Sequence, residues 1–520
     1  MKSFTKFLIA GAFGLTIVLY AVNIFLGPLN LDEGWYLYAA KSYALGERPY
    51  QDFFFTQAPL LPAIYGFLSP LWSSNGVLGG RVLSAIFGLL SAILASLIAI
   101  SAVPKERKFA TALTVFLLLG GNVYHSYFTA IPKTYALAAF FTTSGFLVLS
   151  FALREQGEKN GGKLKASKIK ALLIASGGFL LALAAATRLS LGAMLLATGI
   201  YLLCSFKRTG IAWLWFGVGG LLGLAVTILP HIIGCYDAFA FANFFHGGRE
   251  AGGLVFTLGS ISRLARNYFP VVLIAIAFLV LLVAGDNHGK VKPFLPLMWL
   301  SAFALTFIVH ALSPFPYDDY QVPLMPLATT AFVAFFWQCC SLNSKQESAL
   351  LLSITLIVAI AAFTSPLNES WVVVRKDRFW VETKQQPDIQ LLRNTAKKIS
   401  ESVPAEAEIL TQDTYLAVDA DRRVPKGFEM GPFGYFPNLS DEEARKYHVL
   451  NKKLLVDAIE STSAPIAAAS GYAFSMGAPE MTKCDDFRRE ILLKLNALYP
   501  KKETVPNFGQ EHTTLEIFSR

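Results

Sequence analysis

Charge is what this sequence has least of. Only 16% of its 520 residues are charged, against about 25% in ordinary soluble domains. That scarcity, with apolar residues in long unbroken blocks instead of a 3.6-residue stripe, excludes a soluble fold up to about residue 364. Histidine and cysteine are also sparse, at seven and five. Cys204, Cys235, Cys339, Cys340 and Cys484 show no metal-ligand spacing and no disulfide framework. No metal or other cofactor is assigned. The formal net charge of +9 comes from residues at the flanks of apolar blocks, so the basic balance does not indicate nucleic acid.

What is present in quantity is hydrophobic sequence, 54% of the chain. Candidate spans fall at about 7–27, 82–103, 109–121, 134–153, 171–187, 190–206, 211–233, 269–285, 294–312, 322–340 and 348–364, eleven in all. The segments 171–187 and 190–206 meet at Thr187-Arg188-Leu189-Ser190 and are each near the minimum length for crossing. With the N-terminus in the cytoplasm, the inner loops carry about twice as many Lys and Arg as the outer ones. This orientation places the chain in the cell (inner) membrane. The first apolar stretch, Phe7–Leu26, then reads as an uncleaved signal anchor. Only Cys235 and Cys484 face the oxidising side, either as a disulfide or as free thiols.

Composition changes at Ser365. Helical patterns at 388–402, 441–460 and 485–497 alternate with strand-like segments at 406–419, 464–469 and 513–518. Ser440 and Glu443 form a capping box that opens the middle helix. The expected organisation is a transmembrane part, 1–364, and an extracytoplasmic α/β domain, 365–520.

The first outer loop, 28–80, holds amphipathic segments with Asp32, Glu33 and Asp52 at the depth of lipid headgroups. Carboxylates are expensive there without a task. Two roles fit Asp32: an N-cap for a helix beginning at Glu33, or a general base. Further candidates lie in other outer segments. Gly247-Gly248 beside His246 and Arg249 leaves the backbone free to approach an anion, although a plain flexible loop has the same composition. Arg188 either snorkels to the interface or binds phosphate. Asp318-Asp319 is either a solvated turn or a pair of hard oxygen ligands for a divalent cation.

Four stretches carry a resemblance to a known family. Asp32-Glu33-Gly34-Trp35-Tyr36-Leu37-Tyr38-Ala39-Ala40, Pro49-Tyr50-Gln51-Asp52-Phe53-Phe54, Gln57-Ala58-Pro59-Leu60-Leu61-Pro62 and Arg81-Val82-Leu83-Ser84 resemble the GT-C superfamily. Within it they are similar to the dolichyl-phosphate-mannose protein mannosyltransferase-like enzymes, which include lipid A aminoarabinose transferases. The likeness covers about residues 1–150 and continues weakly to Tyr317-Asp318-Asp319-Tyr320. It implies a GT-C-like fold with a C-terminal α/β domain. It also implies transfer of one hexosyl or pentosyl unit, usually with inversion, from a polyprenyl-phosphate donor among membrane lipids. The acceptor would be an outer-face glycan, lipid or protein.

On this resemblance Asp32 matches the catalytic aspartate, with Glu33 and Asp52 as further catalytic candidates. Basic residues on the same side, Lys133, Arg188, Arg249 and Arg48 with Arg263 and Arg266, are the pool for the donor phosphate. Tyr36, Gln57, His246, Tyr317, Asp318, Asp319 and Tyr320 are the candidates for substrate contact. One departure stands out. Relatives carry a second acid near the start of the fourth span, where this chain reads Ala130-Ile131-Pro132-Lys133-Thr134-Tyr135. A second carboxylate would come from Asp52, Asp318 or Asp319, or none is used. The rival readings are a transporter or flippase, and a non-catalytic assembly or sensor protein.

Overall fold

The computed structural model describes residues 2–154, 163–245, 252–284, 291–365, 386–477 and 482–520. Among them, eight helices are long and apolar enough to cross a membrane. Two further helix pairs would each make a span but are bent, Lys105–Gly120 with Val123–Ala130 by 67° and Gly253–Asn267 with Phe269–Val283 by 86°. The expected span at 190–206 is an apolar helix, Leu189–Cys204, shorter than a full crossing. Each of the eleven expected segments is therefore helical, but only eight are full-length, straight spans. Hydropathy reports apolar length and is blind to bends, which depend on where the backbone finds other partners.

Close packing in this half rests on small residues, as it does where lipid removes any hydrophobic drive between helices. Gly219 of the Ala212–Thr227 helix shows how close the approach is. A Cβ there would sit 1.8 Å from the Ala175 carbonyl oxygen of the neighbouring Lys163–Thr187 helix.

The C-terminal part is a small α/β unit. Its main sheet has the order β1-β2-β6-β5, with β1 at Ile409–Thr411, β2 at Ile466–Ala469, β5 at Lys501–Phe508 and β6 at Thr513–Ser519. β1 and β2 run parallel, and the other pairs are antiparallel. β3 (Met476–Gly477) and β4 (Thr482–Lys483) form a separate two-stranded pair.

Three details differ from expectation. The helix expected at 441–460 is two helices, Asp441–Lys446 and Lys452–Ser461, because His448 takes a positive φ of 56° and Asn451 caps a new start. The segment 406–419 is a short strand followed by the Thr414–Asp419 helix. β5 was not anticipated: it is largely exposed and contains Pro506, which is tolerated on a sheet edge. No disulfide joins Cys235 to Cys484, so that alternative does not hold.

The α/β unit sits directly on the first loop. Leu31 N donates to Gln510 Oε1 at 2.7 Å, Val77 N to Asp419 Oδ2 at 3.0 Å, and Val424 N to the Tyr38 hydroxyl at 2.9 Å. Gly34 is required at the contact, since a Cβ there would lie 2.3 Å from the Tyr415 backbone nitrogen.

Candidate active site

The first-loop helix runs from Leu31 to Ala44, and its N-cap is Asn30, not Asp32. Asn30 and Glu33 form a reciprocal capping box, with Asn30 N donating to Glu33 Oε1 at 2.8 Å. Asp32 is thus released from the capping role and projects from the first turn. There it accepts from Trp35 Nε1 at 3.1 Å.

Glu33 turns the other way and is fully buried against Arg81. Arg81 Nε donates to Glu33 Oε2 at 2.7 Å and Nη2 to Oε1 at 2.6 Å. The same guanidinium reaches the carbonyls of Ile24, Gly27 and Pro28 at 3.2, 3.0 and 2.9 Å, satisfying the end of the first membrane helix. Both carboxylate oxygens of Glu33 accept hydrogen bonds. Glu33 therefore sits in a buried ion pair with Arg81 and does not line the cavity that Asp32 lines.

Asp32 lines a cavity of about 620 Å³ between the membrane helices and the α/β unit. Lys133 enters the same cavity. Its Nζ is 2.8 Å from Asp32 Oδ2 and 3.3 Å from Asp319 Oδ2. The Tyr135 hydroxyl donates to the same Asp319 oxygen at 3.0 Å. Burial works against the charge on Lys133, but Asp32 and Asp319 outweigh it and hold the ammonium well above the ordinary lysine value.

Arg188 supplies a second cation to this wall. Its guanidinium carbon lies 4.4 Å from the centre of the Tyr320 ring and 5.3 Å from that of Tyr135. It has no carboxylate partner among the described residues, and its buried Nε makes no hydrogen bond there. A partly buried guanidinium held by aromatic faces and lacking an anion among the described residues is a ready anion site.

Of the other sequence candidates, Tyr36, Gln57, Tyr317 and Tyr320 line the cavity. Asp318 points elsewhere: it accepts from the Tyr124 hydroxyl at 2.7 Å and from Arg263 Nε at 3.1 Å. Arg48 and Asp52 lie outside the cavity, joined in a local turn by a 2.7 Å bond from Arg48 N to Asp52 Oδ2. His246 and Arg249 lie outside the described residues. No group of three or more His, Cys, Asp or Glu side chains suited to a metal gathers among the described residues.

Other cavity residues carried no sequence signal. Ser190 hydrogen-bonds His310 Nε2 at 2.7 Å, and the buried imidazole meets Gln321 Oε1 through Nδ1 at 3.3 Å. His310 is thus held by a serine and an amide. Phe433, Tyr472, Met476 and Gln510 close the cavity from the α/β unit. Nothing in their local sequence announces this, because their position depends on how that unit docks.

Fold and site together define a polytopic helical membrane protein with a charged cavity roofed by an α/β unit. No protein-family model matches the chain, and no curated protein matches it in sequence. Among solved structures it is similar to ArnT from Cupriavidus metallidurans, both bound to undecaprenyl phosphate and in the apo state. Each aligns at 14% identity with a TM-score of 0.56, covering 98% of this chain and 97% of that one. An oligosaccharyltransferase from Archaeoglobus fulgidus aligns at 11% identity and a TM-score of 0.49, covering 89% of this chain and 69% of its own. The chain therefore shares its overall fold with the ArnT structures.

Proposed function

We propose that this protein is a membrane glycosyltransferase that moves one sugar from a polyprenyl-phosphate donor to an acceptor at the outer face. The observation that carries the reading is the pairing in one cavity of a carboxylate free of any capping role, Asp32, with two cations, the buried Lys133 and the partly buried Arg188. The likeness in fold to a protein bound to undecaprenyl phosphate supports it.

In this reading the donor phosphate binds between Arg188 and Lys133. Its arrival competes with Asp32 for the Lys133 ammonium. Asp32 then takes the proton of the acceptor hydroxyl as that oxygen attacks the anomeric carbon. The bond from the anomeric carbon to the phosphate oxygen breaks, and the cations stabilise the charge that develops on the leaving phosphate. Attack from the face opposite the leaving group inverts the anomeric centre. Asp319 is the second carboxylate, and it positions Lys133 from the far side.

We assign residues 1–364 to the catalytic membrane part and 365–520 to an extracytoplasmic part that recognises the acceptor through Phe433, Tyr472, Met476 and Gln510. The N-terminus is cytoplasmic and the membrane is the inner one. The test is incubation of the purified protein with a panel of polyprenyl-phosphate sugars and acceptors, following release of polyprenyl phosphate. Release that depends on acceptor is the expected result. No release with any pair, while the lipid-linked sugar crosses liposomes, would replace this reading with a flippase.

A further inference from the structure

Both bent helix pairs break at the same place. Gly121 and Asn122 from the 67° break, and Arg266, Asn267 and Phe269 at the 86° break, line one cavity of about 270 Å³. The breaks are tied together, since Asn122 Nδ2 donates to the Asn267 carbonyl oxygen at 2.9 Å. Interrupted helix backbone beside the membrane persists where protein covers it or a polar cavity satisfies it. In other membrane proteins, discontinuous helices of this kind build ligand sites.

This cavity shares no lining residue with the one that holds Asp32. Its walls have two characters. Leu118, Val358 and Ala362 make an apolar side, and the Ser344–Phe363 helix that carries the last two is only 22% buried across its apolar window, so it faces lipid. Arg266 and Asn267 make the polar side. Arg266 is exposed and has no ion pair among the described residues. Asn267 Oδ1 is buried with no hydrogen-bond partner there, and rotating that amide would turn its N–H₂ to an anion instead. The Val123–Ala130 helix also begins at this cavity, adding its positive end to the guanidinium.

An apolar wall continuous with the lipid face, ending in a guanidinium without a counter-ion among the described residues, matches an amphiphile with an anionic head. We propose that this cavity binds an anionic phospholipid, its phosphate on Arg266 and an acyl chain along Val358 and Ala362. The site is separate from the sugar-transfer cavity and does not depend on that function.

The test is native mass spectrometry of the full-length protein in detergent. It is titrated with dioctanoyl phosphatidylglycerol, with dioctanoylglycerol and with inorganic phosphate. Titration in a Lys133→Ala/Arg188→Ala background removes the cations of the large cavity. One saturable phosphatidylglycerol adduct should persist there. Arg266→Ala should weaken it about tenfold, the effect of losing one charged hydrogen bond, and Arg266→Lys should retain most of it. Val358→Phe should weaken it by filling the apolar side. Equal binding of dioctanoylglycerol, or wild-type affinity in both Arg266→Ala and Val358→Phe, would overturn the proposal. Inorganic phosphate binding as tightly as the lipid would overturn the lipid assignment in favour of free phosphate.

Discussion

Lys133 Nζ stands 2.8 Å from the Asp32 carboxylate and holds Asp319 on its other side. One ammonium thus joins a first-loop acid to an acid that precedes a late membrane helix. The proposed base is paired with the cation that the donor phosphate would claim.

Asp32→Asn keeps the shape and the Trp35 contact but cannot take a proton. Turnover should fall by about a hundredfold to ten-thousandfold, the usual range for a general base. Donor affinity should stay within a few-fold of wild type. Single-turnover release of polyprenyl phosphate and a donor titration together measure this; near-normal turnover would remove Asp32 from the base role.

Arg188→Ala removes a cation with no counter-ion among the described residues, so its cost should fall on donor binding. A loss of about tenfold or more in donor affinity is expected from one charged hydrogen bond. Arg188→Lys should recover only part, because an ammonium does not reproduce the planar stacking on Tyr320. Donor affinity unchanged in Arg188→Ala would exclude it from phosphate contact.

Arg81 and Glu33 should behave as structural residues. Arg81→Ala leaves a fully buried carboxylate and the end of the first helix without their donor. Breaking such a pair costs about 3–5 kcal/mol, readable as a lower thermal midpoint in detergent. Glu33→Gln should lower stability while the protein that remains folded keeps most of its turnover. A folded but inactive Glu33→Gln would instead return Glu33 to the chemistry.

Gly34→Ala should loosen the α/β unit from the first loop, since its methyl would meet the Tyr415 backbone at 2.3 Å. An overpacked contact of this type costs about 1–3 kcal/mol. Limited proteolysis should release a C-terminal fragment faster than from wild type. Equal cleavage rates would show that the junction yields without cost.

Glu429 gives a pH signature. Burial pushes its carboxyl from 4.5 up to about 7, opposed by hydrogen bonds from its own backbone N–H and that of Gly427. The folded state therefore holds this proton more tightly than the unfolded chain does. Its contribution to stability is complete below about 4.5 and is lost as pH rises through about 7. Thermal midpoints measured across that window should decline less steeply in Glu429→Gln than in wild type; parallel slopes would show that Glu429 does not titrate there.

Much of the architecture was legible because membrane helices announce themselves by length and apolarity. The α/β unit showed through capping residues such as Ser440 and short apolar strands such as Ile466–Ala469. β5 escaped because an exposed edge strand has no buried face to impose a pattern. The two helix breaks escaped because their apolar content is the same bent or straight. The Glu33–Arg81 pair was not legible for a similar reason: two adjacent acids look alike until one of them finds an arginine.

The sequence by itself determined that Asp32-Glu33 lies just beyond a membrane helix, at a depth where a carboxylate needs a partner. Only the tertiary structure decided the partners. Asn30 took the cap, Arg81 took Glu33, and Lys133 took Asp32 together with Asp319. Local periodicity records which face of a helix is apolar, whereas these pairs depend on side chains from distant segments meeting where burial leaves a charge no other neighbour.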